Sequence, residues 1–524
     1  MLLADALRHT AHRRPGHAAV IDESTSLDFS RLQDRSNRLG NAIAGGLGLG
    51  AGDRFAVLAQ NRAEFVELVF GGASAGAVCA PLNYRLAGPE IAEILADAQA
   101  RALVVDPAYA ETVEALRAGG FDGQVVWLSG DEEPQGEGLV YEDLLREASA
   151  ALPDAVAATG EDDVMLQMYT SGTTGRPKGV MLTHRSLLAC SWSHLAERTV
   201  VPSDRYLTTT PLCHLGAASR IWLLVLAGAT HTLRRKFDAE EMVTVIRDER
   251  VTNTHVVPAQ VRQVVDAAKA LDGDIRGCLR LIVYGTSRMP VELLTEALET
   301  LGCDFMQGYG LTEASPNLTI LPPADHLPLS TGDYSPRLGT VGREAIGVHV
   351  RVVDGEDNDL PAGEVGNVIA RGDNVMAGYW QRPEETAAAL HGGWLRTGDL
   401  GTIDAEGYLS LVGRSKDMLI SGGINVYPAE VERQLEQHPD VGDAAVVGME
   451  DERWGEVPVA FVTVTGESED DAVSERLGAF LGERLARFKQ PKQFRVLAEM
   501  PRNSMGKVDK ARLKEMVSED VAPR

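Results

Sequence analysis

Residues 169–180 read YTSGTTGRPKGV. Small, hydroxyl-bearing and glycine residues run together, and Lys178 then stands between Pro177 and Gly179. Glycine lets a backbone come close to an anion and turn its N–H groups toward it. Ser171, Thr173 and Thr174 add short hydroxyl donors, and Lys178 adds a compact positive charge of the kind that meets phosphate. The stretch therefore reads as a phosphate cradle. It departs from the nucleotide-triphosphatase loop G-x-x-x-x-G-K-[ST] at two places. Counted from Gly172, Pro177 stands where the second glycine belongs, and Gly179 follows the lysine where a magnesium-binding hydroxyl belongs. The flanks differ too. Val164–Met168 and Val180–Leu182 are apolar runs of strand length, so the loop joins strand to strand. A helix follows, capped by Thr183, with Leu188, Trp192 and Leu195 expected on one face.

Working outward, the preceding chain alternates strands and helices. FAVLA from Phe55, AVCAPL from Ala77 and ALVVD from Ala102 read as strands; 62–75, with Phe65, Leu68 and Val69 on one face, and 89–98 read as helices. That order predicts a parallel sheet covered by helices. The rhythm returns after the loop, with helices at 239–248 and 259–270 and strands at THVV (254–257) and LRLIVYG (279–285). IWLLVLAGA from Ile221 is the longest apolar run, about half the length of a membrane span, and reads as a buried helix. From about residue 336 short strands with glycine turns follow: GTVGREAIGVHVRVVDG, GEVGNVIARG and GYLSLVGR. Beyond Arg414 the texture changes again. Pro428 opens a helix bearing Val431 and Leu435, DAAVVGM and PVAFVTVTG are strands, and 470–488 reads as an amphipathic helix carrying Leu477, Phe480, Leu481, Leu485 and Phe488. The expected fold class is α/β: a large N-terminal domain, 1–414, with two αβ sheets and a small β-rich subdomain at about 336–414, and a small α+β C-terminal domain, 415–524.

Composition bounds the function. A chain of 524 residues exceeds one core. The net charge of -26 argues against a nucleic-acid binder and requires any polyanion site to be locally positive. Five cysteines, widely spaced and without a C-x-x-C pair, form neither a disulfide framework nor a zinc site, and suit a reducing cytoplasm. The N-terminal MLLADALRHTAHRRPG lacks the apolar core of a signal peptide, and no transmembrane segment is expected.

Five more stretches carry chemistry-bearing residues: PLCHLGAAS (211–219) with His214, QGYGLTEAS (307–315) with Tyr309, Thr312 and Glu313, GGWLRTGDL (392–400) with Asp399, GRSKDMLISGGINVYPAEVE (413–432) with Arg414 and Lys416, and PRNSMGKVDK (501–510) with Lys507. Each alone has a plain structural reading: a satisfied core histidine, an Asx turn, a solvated lysine. In this order, with the loop at 169–180, they resemble the motifs of the adenylate-forming (AMP-binding) superfamily, which includes acyl-CoA and aryl-CoA synthetases, peptide-synthetase adenylation domains and beetle luciferases.

The resemblance spans nearly the whole chain and implies an ATP-dependent acid–CoA ligase (AMP-forming) of the fatty-acid–CoA ligase type. A carboxylate attacks the α-phosphate of ATP to give an acyl-adenylate; CoA then takes the acyl group as a thioester. On that resemblance Thr170, Ser171, Gly172, Thr173, Thr174, Gly175 and Lys178 hold the β- and γ-phosphates. Thr312 meets the α-phosphate and Glu313 holds Mg2+, which prefers oxygen ligands. Tyr309, between Gly308 and Gly310, stacks on adenine, backed by Gly285, Thr286 and Ser287. Asp399 takes the ribose hydroxyls with Arg414 beside it. Lys507 bridges the carboxylate and the α-phosphate, Lys416 is the hinge, and Gly422 and Gly423 line the CoA tunnel. His214, Leu215, Gly216, Ala217 and Pro316 line the acyl pocket, implying a hydrophobic acid: a medium or long fatty acid, a steroid or terpenoid side-chain acid, or an aryl acid. ATP, Mg2+ and CoA are the implied co-substrates; no nucleic acid is implied, and a homodimer is allowed.

Two departures stand out. Cys213 precedes His214 where the family places an aromatic, and the adenine loop reads Gly285-Thr286-Ser287-Arg288-Met289, whose Arg288 either faces solvent or meets a polar group of the acid. A second reading keeps adenylation but loads a carrier-protein phosphopantetheine. No carrier domain is expected in the residues after Lys507, which lowers it. Luciferase-type oxygenation is more remote. A non-catalytic nucleotide-binding regulator has no use for Lys507. Arg487, Lys489 and Lys492 form a basic patch that either meets CoA phosphates or is a solvated face.

Overall fold

The computed structural model describes residues 1–129, 136–171, 177–271, 275–285, 289–327, 335–421, 424–451, 454–464, 470–503 and 506–521. Packing divides the chain into one unit of Met1–Val350 with Ala370–Leu395 and a second of Arg351–Ile369 with Arg396–Arg524.

The first unit holds two sheets. In one, the order is Gly378–Tyr379, Pro177–Thr183, Val164–Ser171, Val78–Pro81, Arg54–Leu58, Ala100–Val105, Gln124–Trp127 and Leu139–Val140. From Val164–Ser171 to Leu139–Val140 every pairing is parallel; the hairpin partner Pro177–Thr183 and the short Gly378–Tyr379 are antiparallel. The other sheet runs Arg343–Glu344, Asn317–Leu321, Asp304–Gly310, Leu281–Gly285, Asn253–Val256, Arg205–Thr208, Thr230–Leu233, Ala18–Ile21 and Ser26–Asp28, parallel at its centre and antiparallel at both ends. The expected pair of αβ layers is therefore present.

Helix Ala63–Ala75 corrects one detail. Phe65, Leu68 and Val69 are buried, but so is every other residue of the helix, Glu64 and Glu67 included. An all-round buried helix lies inside the molecule rather than on its surface. Its polar groups are met internally: Glu67 takes bonds from Arg35 (2.7 Å) and from the Tyr141 hydroxyl (2.7 Å). At its start Arg62, also buried, pairs with Glu64 (2.8 Å) and Asp106 (2.8 Å) and donates to the Ser129 carbonyl.

Thr183 caps helix His184–Ala196 as expected, its hydroxyl accepting from the Ser186 N–H. Of the expected face, Leu188 is buried and Leu195 packs against the cluster of Val200 and Tyr206, but Trp192 does not turn inward. Trp192 is half exposed, at 50%, while His184, Leu187, Leu188, Ser191 and His194 face inward. His184 accepts from the Leu3 N–H and His194 meets Thr199 and Asn317, while the Ser191 hydroxyl turns back to the Leu187 carbonyl; an apolar-periodicity rule does not detect such partners. IWLLVLAGA is the end of a longer buried helix, Leu215–Ala227, closed by Gly228 at φ +71°. Among the described residues no helix is long and apolar enough to cross a membrane. All five cysteines are free.

In the second unit the strands Leu419–Ser421, Ile424–Val426, Val441–Asp451, Gly455–Val464 and Gln493–Val496 form one sheet. One apolar cluster joins Val431 and Leu435 to Leu477, Leu481 and Val446; another joins Val447 and Phe461 to Leu513 and Val517. The expected helix 470–488 stops earlier: it spans Asp470–Gly482. Glycine favours a stop there, and Leu485 and Phe488 still pack on the same cluster from the turns that follow.

The Arg62 network yields a stability prediction. Arg62→Ala leaves two buried carboxylates without their cation and should cost about 3–5 kcal/mol, read as a lowered urea midpoint. A change near zero would show that the network is dispensable.

Candidate active site

The phosphate-loop candidate sits on a hairpin. Val164–Ser171 and Pro177–Thr183 pair with Tyr169 opposite Gly179, Thr170 opposite Lys178 and Ser171 opposite Pro177. The tip, with Gly172, Thr173, Thr174 and Gly175, lies outside the described residues. The base is braced through Asp97. Its carboxylate accepts from the Tyr169 hydroxyl (2.8 Å) and from Arg382 (2.5 Å), and its carbonyl accepts from the Trp380 indole (3.0 Å).

Gly378–Tyr379 adds a third strand to this hairpin, with Tyr379 opposite Val180, and the Trp380 N–H donates to the Gly179 carbonyl (2.8 Å). This puts the Lys178 Nζ 5.1 Å from the centre of the Tyr379 ring, within reach of the ring's negative face. The Tyr379 hydroxyl donates to Glu313 Oε1 at 2.8 Å. Burial, and then the Glu313 charge, push the phenol well above its ordinary range, so it stays a donor. Tyr379 thus links the cation of the hairpin to the carboxylate of the QGYGLTEAS motif. Sequence reading passed over it. Its signal is the aromatic pair in MAGYWQ, which carries no motif of its own.

Glu313 lies in a short turn, Thr312–Ala314, directly after strand Asp304–Gly310. The segment that presents Tyr379 also fastens this turn. The Met376 N–H donates to the Glu313 carbonyl (2.9 Å), and the Asn374 amide donates to the carbonyls of Ala314 and Asn317 (both 2.9 Å). The glycines here are sterically required. A Cβ on Gly310 would sit 1.8 Å from the Pro316 carbonyl oxygen, and one on Gly285 2.7 Å from that of Gly308, its partner in register. Tyr309, Thr312 and Pro316 are half-buried. Thr286, Ser287 and Arg288 lie outside the described residues.

His214 begins helix Leu215–Ala227, its carbonyl accepting from the N–H groups of Ala217 and Ala218. Leu215 and Ala217 are buried; Gly216 faces His255, whose Cε1 lies 3.6 Å from where a Cβ would stand. Cys213, in place of an aromatic, is buried, and burial pushes its thiol up to about 12. It is a small inert apolar residue there.

The second unit holds the remaining described candidates. Strands Trp394–Ile403 and Leu409–Arg414 place Asp399 opposite Arg414, whose Nε meets Asp399 Oδ1 at 2.7 Å. Asp399 is buried and its N–H donates to Thr397 Oγ1. Lys416 is exposed in the short turn Ser415–Asp417. Gly422 and Gly423 lie outside the described residues. Lys507 is exposed on a tight turn: its N–H donates to Asn503 Oδ1 (3.1 Å), its carbonyl accepts from the Asn503 N–H (2.8 Å), and Gly506 beside it has φ +77°. In the basic patch Lys489 is paired with Glu430 at 2.7 Å, which leaves less of the patch for an anion.

The AMP-binding enzyme family model matches residues 7–380, and the model of the AMP-binding enzyme C-terminal domain matches 430–507. A feruloyl-CoA synthase of an Amycolatopsis species is 37% identical over 505 residues, 96% of each chain. A fatty acid–[acyl-carrier-protein] ligase of Streptomyces coeruleorubidus is 36% identical over 509 residues, 96% of this chain and 94% of that one. Among solved structures, ATP-bound MatB from Rhodopseudomonas palustris superposes with a TM-score of 0.86 at 29% identity, covering 100% of both chains. Matched in order by two family models and along nearly its whole length by ligases, the chain belongs to the AMP-binding enzymes, the adenylate-forming superfamily, and is of its acyl-CoA synthetase type.

Proposed function

We propose that the protein joins a carboxylic acid to CoA in two half-reactions at one site. In the first, a carboxylate oxygen attacks the α-phosphorus of ATP, the bond to the β-phosphate oxygen breaks, and pyrophosphate leaves. In the second, the CoA sulfur attacks the acyl carbon, and AMP leaves. The observation that supports this most is the Lys178–Tyr379–Glu313 contact, which sets a cation over the face of one aromatic ring and a carboxylate on its hydroxyl.

Both reactants of the first step are anions, so catalysis is mostly positioning and charge stabilisation. In this reading Thr170–Lys178 holds the β- and γ-phosphates, and Thr312 bonds the α-phosphate. Glu313 takes the magnesium that accompanies ATP. Mg2+ is commonly held by one or two carboxylates plus substrate phosphates, and among the described residues no cluster of three or more ligating side chains competes. Tyr379, donating to one Glu313 oxygen, leaves the other for the ion. Tyr309 stacks on adenine between Gly308 and Gly310, Asp399 with Arg414 receives the ribose, and Lys507 bridges carboxylate and α-phosphate. His214, Leu215, Gly216, Ala217 and Pro316 surround the acid, whose body is hydrophobic.

We take residues 1–414 and 415–524 as the parts that move against each other about Lys416. The motion withdraws Lys507 after adenylation and brings Gly422 and Gly423 to the thiol, two residues without side chains to obstruct a slender pantetheine. The compartment proposed is the cytoplasm. A carrier-protein thiol is the second reading, favoured by the likeness to the Streptomyces ligase.

Pyrophosphate release with Mg2+–ATP across fatty, aryl and other acids tests the proposal. Acid-dependent release that turns over repeatedly only with CoA is expected. Release indifferent to CoA favours the carrier thiol, and none with any acid contradicts the ligase. Lys507→Ala should lose about 10²–10³ in adenylate formation yet still convert supplied acyl-adenylate and CoA to thioester; equal loss in both halves contradicts its role. Tyr379→Phe should lower kcat/KM for Mg2+–ATP by about 10–100-fold, as loss of a ligand's supporting bond does, with the thioester step unchanged. An unaltered adenylation rate would remove Tyr379 from the site.

A further inference from the structure

Helix Leu215–Ala227, whose first turn is proposed to line the acyl pocket, carries Arg220 one turn beyond Gly216, on the same face. Arg220 is only 2% exposed, and no described residue accepts a hydrogen bond from its Nε or Nη1. Among the described residues no carboxylate pairs with it; its guanidinium carbon lies 5.6 Å from the centre of the Tyr206 ring. A buried guanidinium without an anion is rare and costly, because its charge has left water without a partner. Arginine's planar fork matches a carboxylate with two parallel bonds.

The surroundings are polar. Strand alternation puts Tyr206, Thr208, His231, Asn253 and His255 on one face of the nine-stranded sheet: Tyr206 stands opposite both His231 and Asn253, and the others follow at intervals of two. His231 Nε2 bonds Thr208 Oγ1 (2.9 Å), but His231 Nδ1, His255 Nδ1, Asn253 Oδ1 and the Tyr206 hydroxyl are buried without a hydrogen-bond partner. Burial, and then the Arg220 charge, pull His231 and His255 down to about 3. They are neutral at neutral pH, so Arg220 is the local charge. His255 also lies under Gly216, which joins this polar face to the proposed acyl pocket.

We propose that Arg220 receives a second carboxylate at the far end of the acid, so that the preferred substrate is a dicarboxylic acid with an apolar body. The carboxylate to be activated stays at the ATP end; the distal one meets the guanidinium, with the unpaired groups of the sheet face beside it. The proposal rests on the ligase reading and narrows its substrate.

The test is pyrophosphate release with paired acids of equal length, one a monocarboxylate and one an α,ω-dicarboxylate, over a ladder of chain lengths and with aryl counterparts. Wild type should favour the dicarboxylate by at least about 10²-fold in kcat/KM at its best length, as sites built around a buried polar partner do. Arg220→Met should abolish or invert that preference, and Arg220→Lys should keep part of it. Arg220→Met removes an unpaired buried charge and should not lower Tm. A monocarboxylate preferred by wild type, or a parallel loss for all acids in Arg220→Met, overturns the proposal while leaving the ligase intact. If no acid releases pyrophosphate, the ligase reading fails. Thermal-shift binding then decides about Arg220: a rise in Tm with dicarboxylates only, absent in both Arg220 variants, supports the subsite, and no such rise overturns it.

Discussion

In the first unit a single aromatic ring joins the hairpin to the acidic turn. Tyr379 has Lys178 over its face and Glu313 on its hydroxyl. A lysine and a glutamate left to themselves would pair, and a paired lysine is a poor partner for phosphate. The ring prevents this by holding the ammonium through its face and the carboxylate through its O–H. Backbone fixes the separation. Residues 374–380 hydrogen-bond to the hairpin through Gly179 and Met181 and to the acidic turn through Glu313 and Ala314. One short segment thus serves as the third strand of the hairpin and the clasp of the turn.

Electrostatics at larger scale point the same way. A chain with net charge -26 must bind polyanions where cations are kept in excess. Lys178, on a hairpin, and Lys507, on a tight turn, are the cations proposed for that role. Arg220 is another, distinguished by burial. Exposed lysines are solvated whatever they do, whereas a buried guanidinium places a demand on its partner.

Much of this was legible in sequence, and the reason is the same in each case. YTSGTTGRPKGV announced strand–loop–strand because its turn residues interrupt two apolar runs; the strands pair as a hairpin and reach past those runs, to Ser171 on one side and from Pro177 on the other. Gly285 and Gly310 were legible as motif positions, and the structure gives the steric cause. Asp399 and Arg414 are fifteen residues apart in sequence yet face each other across one strand pair. What escaped is polarity on the inside. Trp192 was expected inward and lies outward because His184, Ser191 and His194 take the buried face of that helix. Arg220 sits in a mostly apolar helix and Tyr379 in a two-residue strand without a motif of its own. Periodicity rules score apolar residues, and polar groups buried against one another are visible only once the strands are paired. The helix expected to reach 488 failed for a simpler reason: Leu485 and Phe488 continue the apolar pattern from turns rather than from helix.

In the proposed first half-reaction a carboxylate oxygen attacks the α-phosphorus of ATP. Isotope transfer tests it most directly. With an accepted acid labelled with 18O in the reacting carboxylate, and with Mg2+–ATP and CoA, the AMP released after one turnover should carry one 18O atom and the pyrophosphate none. Label in phosphate or pyrophosphate, with unlabelled AMP, would mean activation at another phosphorus and would contradict the account.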